Sequence, residues 1–453
     1  MSSEEQIIIL LEENKRLREI IRKLESRISY LEEELRKAKL KKDSSNSDKP
    51  PSTDITQASR NQSLRVKTGK KPGGQEGHKG ITLKMVEKPD EIVKLEPNYC
   101  RHCGCSLEGE EAELNSKRQV IDIPPIKPIV TEYQNYKKRC PKCGHYQQAG
   151  FPAGVNNHIQ YGSNIEAAIV YFSVYQYLPY KRLKECLKHL INIEISQGSI
   201  NNILKRMSMK AEPIYNKIKE KISFSKQVGS DETSAKVNGK KWWIWVWQSV
   251  PLTYLTASKS RGSQAIQEEF PTGLKESVLT TDRWAAQLKT IAKGHQLCTA
   301  HLLRDLKYLK ELEKNQWASR MEQLLKAALD LKSKRSECVQ NDIEAVRLEE
   351  SLDILLQQDI PKETNHKTYV FQQSLIKQRA SIFTFLYNKS TPADNNASER
   401  AIRNVKVKQK VSGQFKAGQH LFCVLRSIID TCNKNAVDIL FALKSIANFI
   451  PAE

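Results

Sequence analysis

The sequence predicts a multidomain chain: an α/β domain with a helical insertion, preceded by a coiled coil, a cysteine-rich ribbon and a helical domain. Three observations carry this. Leucines recur every seventh residue near the N terminus, two Cys-x-x-Cys pairs flank residues 104–139, and beyond residue 225 strand-like runs alternate with helical patterns. The 453 residues suffice for two to four units at roughly 150 residues each. Lys plus Arg number 73 and Asp plus Glu 52, so the formal charge is 73 − 52 = +21. That excess points to a polyanionic partner, nucleic acid before a membrane surface. No apolar run approaches the roughly 20 residues that span a bilayer. The acidic start MSSEEQIIILLEENKRL is unlike a secretory signal, so a cytoplasmic location is expected.

Residues 1–40 read as a dimerisation helix. Leu10, Leu17, Leu24 and Leu31 occupy one seam position; Ile7, Asn14, Ile21, Ile28 and Leu35 occupy the other. Leucine at d, isoleucine at a and a single polar a residue favour a parallel two-stranded coiled coil, hence a homodimer. Across such a dimer Glu13 would face Arg18 and Arg27 would face Glu32. Residues 41–95, rich in Ser, Pro, Gly and Lys, read as a basic disordered linker with too few large apolar groups to offset ordering entropy. Gly73-Gly74 is not a phosphate loop, because no strand precedes it and no Gly-Lys-Ser/Thr follows.

Residues 96–150 read as a zinc ribbon. Cys100-Arg-His-Cys103-Gly and Cys140-Pro-Lys-Cys143-Gly are matched knuckles, in which the glycine lets backbone amides face thiolate sulfur. Four thiolates in a tetrahedron make a closed, structural site for one Zn²⁺. Cys105, His102 and His145 stand nearby as alternatives. Strands are expected over residues 117–123 and 129–137. Residues 155–222 read as helical, with Pro179 in a first turn and Ser196 as an N-cap. The spacing suits a helix-turn-helix with Asn201, Asn202, Lys205 and Arg206 on the second helix, or plain helix packing.

From Lys226 the pattern changes. KQVGSDETSAKV, the hairpin signal Asn238-Gly239, and the aromatic run KWWIWVWQS are followed by a third strand, LTYLTAS. A helix near 262–270, the strand SVLTTD, a second helix, the strand HQLCTA and a third helix complete the order. That order is the one of a ribonuclease H-like domain, placed at 225–440 with a charged helical insertion at about 302–390. Asp231 falls in the first strand, Asp282 at the end of the fourth, where open sheets place their crevice, and Glu399 at the start of a distant helix. Converging carboxylates would need divalent cations to neutralise them. Glu232 would point to the opposite sheet face of a regular strand. Asp394 is the alternative third acid.

Acids alone decide little, but several motifs act together. Asp231-Glu232-Thr233, Cys298-x-x-His301, Asp394-Asn395-Asn396-Ala397-Ser398-Glu399-Arg400, the upstream KPPSTD and KPGGQEGHKG, the paired knuckles and VYQYLPYKRL resemble the transposases of insertion-sequence family 66. The resemblance covers about residues 40–440, and Asn-Asn-x-x-Glu-Arg is its most specific part. Asp282-Arg283-Trp284 departs from the Asp-Gly-Tyr common in relatives, and LLRDLKYLK is poorer in arginine.

The resemblance implies an Asp-Asp-Glu transposase that binds element ends and catalyses strand cleavage and strand transfer. It assigns Asp231, Asp282 and Glu399 as ligands of two Mg²⁺ ions. DNA ends and target are the implied partners, with small accessory proteins, in a bacterial, nucleoid-associated setting. The cations Arg400, Arg403, Lys406, Lys408 and Lys410 suit a phosphate backbone beside that site. A dimeric, zinc-containing DNA-binding regulator without catalysis is the other reading.

Overall fold

A five-stranded mixed sheet organises the chain, and its order follows from three short-range signals. The computed structural model describes residues 3–39, 77, 83–334 and 343–449. Strand β3 (Gln227–Val237) turns at Asn238-Gly239 into β4 (Lys240–Gln248), both turn residues having positive φ, 46° and 78°. That pair of left-handed residues matches the twist of a two-residue hairpin. β5 (Thr253–Ser258) continues the antiparallel run; β6 (Leu274–Thr281) and β7 (Ala292–Leu297) join β3 on its other side in parallel. The order β5-β4-β3-β6-β7 puts β3 in the centre. Residues 244–248 of β4 are buried on both faces, with Trp245 and Trp247 stacked at 5.7 Å.

The described residues fall into two units, Met1–Leu64 with Tyr133–Glu185 and Ile195–Glu453, and Arg65–Glu132 with Cys186–Glu194. In the first, helices α1 (Ser3–Lys39) and α2 (Ser163–Val170) precede a π-helical turn, Tyr171–Tyr175. α3 (Tyr180–Ile191) begins just after Pro179, and α4 (Gln197–Ser223) is capped by Ser196, whose hydroxyl accepts the Ser199 N–H at 2.9 Å. Ile200, Leu204, Met207, Ala211 and Ile222 bury one face of α4. Arg206 is taken up by Glu166, and Asn201 accepts from the Tyr180 hydroxyl at 3.4 Å; Asn202 and Lys205 stay exposed.

Between the strands lie α5 (Ser263–Glu269) and α6 (Ala285–Leu288). After β7 come α7 (Thr299–Glu313), α8 (Gln316–Lys334), α9 (Ile343–Gln357), α10 (His366–Lys377) and α11 (Thr384–Tyr387). They enclose their own apolar core of Leu306, Met321, Leu352, Phe371 and Phe385. α12 (Asn396–Ser412) then returns to the sheet, and α13 (Gln419–Lys434) and α14 (Ile439–Asn448) close the unit. Arg426 of α13, buried, pairs with Asp430 at 2.7 Å and stands 5.4 Å from the rings of Tyr175 and Tyr177. The Tyr177 hydroxyl donates to Asn404 at 2.8 Å, so VYQYLPYKRL ties α12 to α13. Among the described residues no helix is long and apolar enough to cross a membrane.

One expectation changes. Residues 117–123 and 129–136 form no strand, and only Lys137–Arg139 (β1) pairs, with Tyr146–Gln148 (β2). Their alternating apolar residues find no ladder partner and no cover: Val120, Ile129 and Val130 are 92, 94 and 90% exposed. Most of the expected linker, 41–76 and 78–82, lies outside the described residues.

Candidate active site

The acids of the site sit near the start, the end or the middle of an element. Asp231 lies in the middle of β3, opposite Val246. Asp282 follows the last residue of β6 and accepts the Trp284 N–H at 2.9 Å, which fixes the turn before α6. Glu399 lies in the first turn of α12, where the helix dipole favours a carboxylate.

Burial pushes the Asp231 carboxyl well above the usual carboxylate range; the nearby charges of Glu232 and Asp282 add to this, and His301 opposes it. His301 Nε2 is 3.7 Å from Glu399 Oε1. Burial alone would lower His301, but the Cys298 sulfur and Glu399 outweigh it and lift the imidazole to about 9. The charges of Asp282 and His301 thus both act on Asp231, and His301 in turn lies beside Glu399. Arg304 and Arg403 lie 3.1 and 4.0 Å from the Glu399 carboxylate.

A clamp joins α12 to β3. Asn395 donates through Nδ2 to the Ser230 carbonyl at 2.6 Å and accepts from the Ser398 hydroxyl at 2.6 Å. Its backbone N–H meets Cys298 Sγ at 3.2 Å. A Cβ on Gly229 would stand 2.6 Å from Gln248 Nε2 and Ser398 Oγ and 2.7 Å from Asn395 Oδ1, so only glycine lets the helix approach this closely. Of the Asn-Asn-x-x-Glu-Arg motif, then, the first Asn holds the helix that carries the Glu. Asp394 Oδ1 accepts the Asn396 N–H at 3.0 Å at the same helix start.

Glu232 takes different partners from Asp231. Arg261 and Gln287 bond its two oxygens at 2.8 and 2.9 Å. Burial, with the charge of Asp282, raises it to about 7 against the pull of Arg261. The Arg261 guanidinium lies 3.9 Å from the Trp284 ring and 4.8 Å from that of Trp243. Sequence reasoning missed this stack, although the Trp284 departure marks its place.

The cationic run of α12 is less open than its sequence suggests. Arg400, Arg403 and Lys410 are exposed. Lys406 instead donates to the Ser234 carbonyl at 2.9 Å, and Lys408 reaches the Ser173 carbonyl at 3.5 Å. Burial lowers both ammonium groups. The physical reason is that these two positions face β3 and the π-helical turn.

The knuckles share one geometry. Cys100 N–H donates to the Cys105 carbonyl and Gly104 N–H to the Cys100 carbonyl, both at 2.8 Å, with Gly104 at φ 75°. Cys140 N–H donates to His145 at 2.8 Å and Gly144 N–H to Cys140 at 2.9 Å, with Gly144 at φ 69°. Backbone amides facing the sulfur lower the Cys100 and Cys140 thiols, from Cys103 and His102 in one and Cys143 and Lys142 in the other. The sulfurs of Cys100, Cys103 and Cys105 lie within 4.8 Å of one another, so Cys105 is a third candidate donor on that side.

Models of three families match stretches of the chain. A model described as the zinc-finger binding domain of transposase IS66 matches residues 97–144. A model of a family of unknown function matches residues 4–84. A search of curated proteins found no match. A model described as the IS66 family of transposases matches residues 158–420, more than half of the chain and the whole span from α2 through the clamp. With its zinc-finger domain ahead of that span, the chain belongs to the IS66 transposase family.

Proposed function

We propose that this transposase binds the ends of its insertion sequence, cleaves them hydrolytically, and joins the freed 3′-hydroxyl to target DNA. The observation that supports the reading is that the charges of Asp282 and His301 both act on the Asp231 carboxyl and His301 lies 3.7 Å from Glu399, all inside the family-matched span. The donor set suits Mg²⁺: three carboxylates offer hard oxygens, and Asp231 is raised by burial and by like charges that a cation would offset. Two Mg²⁺ ions held there supply charge neutralisation for in-line phosphodiester displacement. Asp231, Asp282 and Glu399 would hold them, on a ribonuclease H-like sheet with the helical insertion at 302–390. Trp284 N–H orients Asp282, and Asn395 orients the helix of Glu399. The exposed Arg400, Arg403 and Lys410 would take phosphates of the bound end, while Lys406 and Lys408 brace the helix. The decisive experiment is cleavage of DNA carrying the element's own ends, with Asp231→Asn separating binding from chemistry.

Two partners follow. α1 leaves Leu17, Ile21, Leu24, Ile28, Leu31 and Leu35 about half exposed along one seam, which suits a parallel homodimer that holds two ends together. Light scattering at micromolar concentration is expected to give the dimer mass, and Ile21→Lys with Leu24→Lys the monomer mass. A monomeric unmodified chain would remove this part of the proposal. The zinc-finger region would bind Zn²⁺ through its thiolates and help recognise the ends. Cys100→Ser is expected to lower bound zinc by one equivalent per chain in metal analysis; unchanged zinc would refute it.

A further inference from the structure

Cys298 and His301 are bound to the site by more than sequence spacing. Cys298 is the N-cap residue of α7 and is 1% exposed; His301 lies in the first turn of that helix. Glu399 comes from the start of α12, which the Asn395 clamp holds against β3. One donor atom from each of the three lies within 4.8 Å of the others. A tetrahedral zinc site spaces its donors about 3.3–3.6 Å apart, given bonds of roughly 2.0–2.3 Å. The His301–Glu399 pair at 3.7 Å is already near that spacing, and the sulfur needs an approach of roughly an ångström. A further feature points to a ligand: the Asn395 backbone N–H donates to the Cys298 sulfur at 3.2 Å, a contact that would stabilise a thiolate.

We propose that Cys298, His301 and Glu399 form a second metal site, selective for a borderline-soft divalent cation such as Zn²⁺. Thiolate and imidazole donors favour Zn²⁺ over Mg²⁺, which prefers oxygen throughout. Three protein donors leave a fourth position open, unlike the closed four-thiolate arrangement of a structural site. Arg304 is the competitor, since its guanidinium already pairs with Glu399 Oε1. The functional consequence rests on the acid triad proposed above: a soft cation that takes Glu399 withdraws it from the Mg²⁺ site. Zinc would then inhibit cleavage through this trio.

The test titrates Co²⁺ into full-length protein that retains its zinc-finger zinc. One additional equivalent is expected, with a thiolate-to-cobalt charge-transfer band. Cys298→Ser should abolish the band and the extra equivalent, and His301→Gln should weaken binding at least tenfold, while both keep the zinc-finger zinc and the native circular dichroism. Asp231→Asn should keep the band while losing cleavage, which separates this site from the acid triad. In the cleavage assay, Zn²⁺ should inhibit the unmodified protein, and Cys298→Ser should raise the inhibitory concentration at least tenfold. No extra equivalent, or an unchanged band in Cys298→Ser, overturns the site. A cobalt band with cleavage indifferent to Zn²⁺ overturns its overlap with the Glu399 function.

Discussion

Asp231→Asn is expected to abolish strand cleavage while leaving binding of the element ends unchanged. The substitution keeps the shape and removes the charge that a divalent cation would meet at the centre of β3. Losing that electrostatic role is worth several kcal/mol in the transition state, so the rate should fall about a thousandfold or more. The fold should tolerate the change, because Asp231 is pushed toward its protonated form by burial, and its one backbone contact, the Glu232 N–H at 2.8 Å, can be made by an amide oxygen. Electrophoretic mobility shift and end-cleavage assays on one preparation check both halves. Cleavage within tenfold of the unmodified rate would sink the acid triad.

Gly229→Ala should damage stability and activity together. The added methyl would meet Gln248, Ser398 and Asn395 at 2.6–2.7 Å, and Ser398 Oγ and Asn395 Oδ1 are already hydrogen-bonded to each other. Overpacking of this kind costs about 1–3 kcal/mol. In a unit of this size that lowers the melting midpoint by roughly 2–10 °C. Relief comes most directly by moving α12 outward, which carries Glu399 with it. A misplacement near 1 Å costs about a hundredfold in rate. Calorimetry and the cleavage assay should therefore both respond. An unchanged midpoint and rate would mean that these side chains give way without cost.

The parts of the structure that were legible in the sequence are those set by local chemistry. Asn238-Gly239 announces a hairpin because both residues tolerate positive φ, and Ser196 announces a helix start because its hydroxyl can take a free N–H. Alternation along β3 predicts different neighbours for Asp231 and Glu232; Glu232 bonds Arg261 and Gln287, while the charge of Asp282 reaches both carboxyls. What stayed hidden depends on distant chain segments. Nothing near Gly229 in sequence indicates Asn395 and Ser398, and nothing near Lys406 indicates the carbonyl of Ser234. Residues 117–136 erred in the opposite sense: β-branched residues raise strand propensity, but a strand needs a neighbour to bond.

Arg36 gives the N-terminal helix an obligation apart from pairing. It donates to the carbonyls of Glu311 and Leu312 at 2.6 and 2.9 Å, and Glu33 meets Lys314 at 3.3 Å. These carbonyls end α7, whose opposite end carries His301 and Arg304. Amputating residues 1–39 to obtain a monomer would thus also strip the cap from a helix that reaches the active site. Lost activity in such a truncation would confound two injuries. Point substitutions on the seam, which spare Glu33 and Arg36, isolate the cost of solitude.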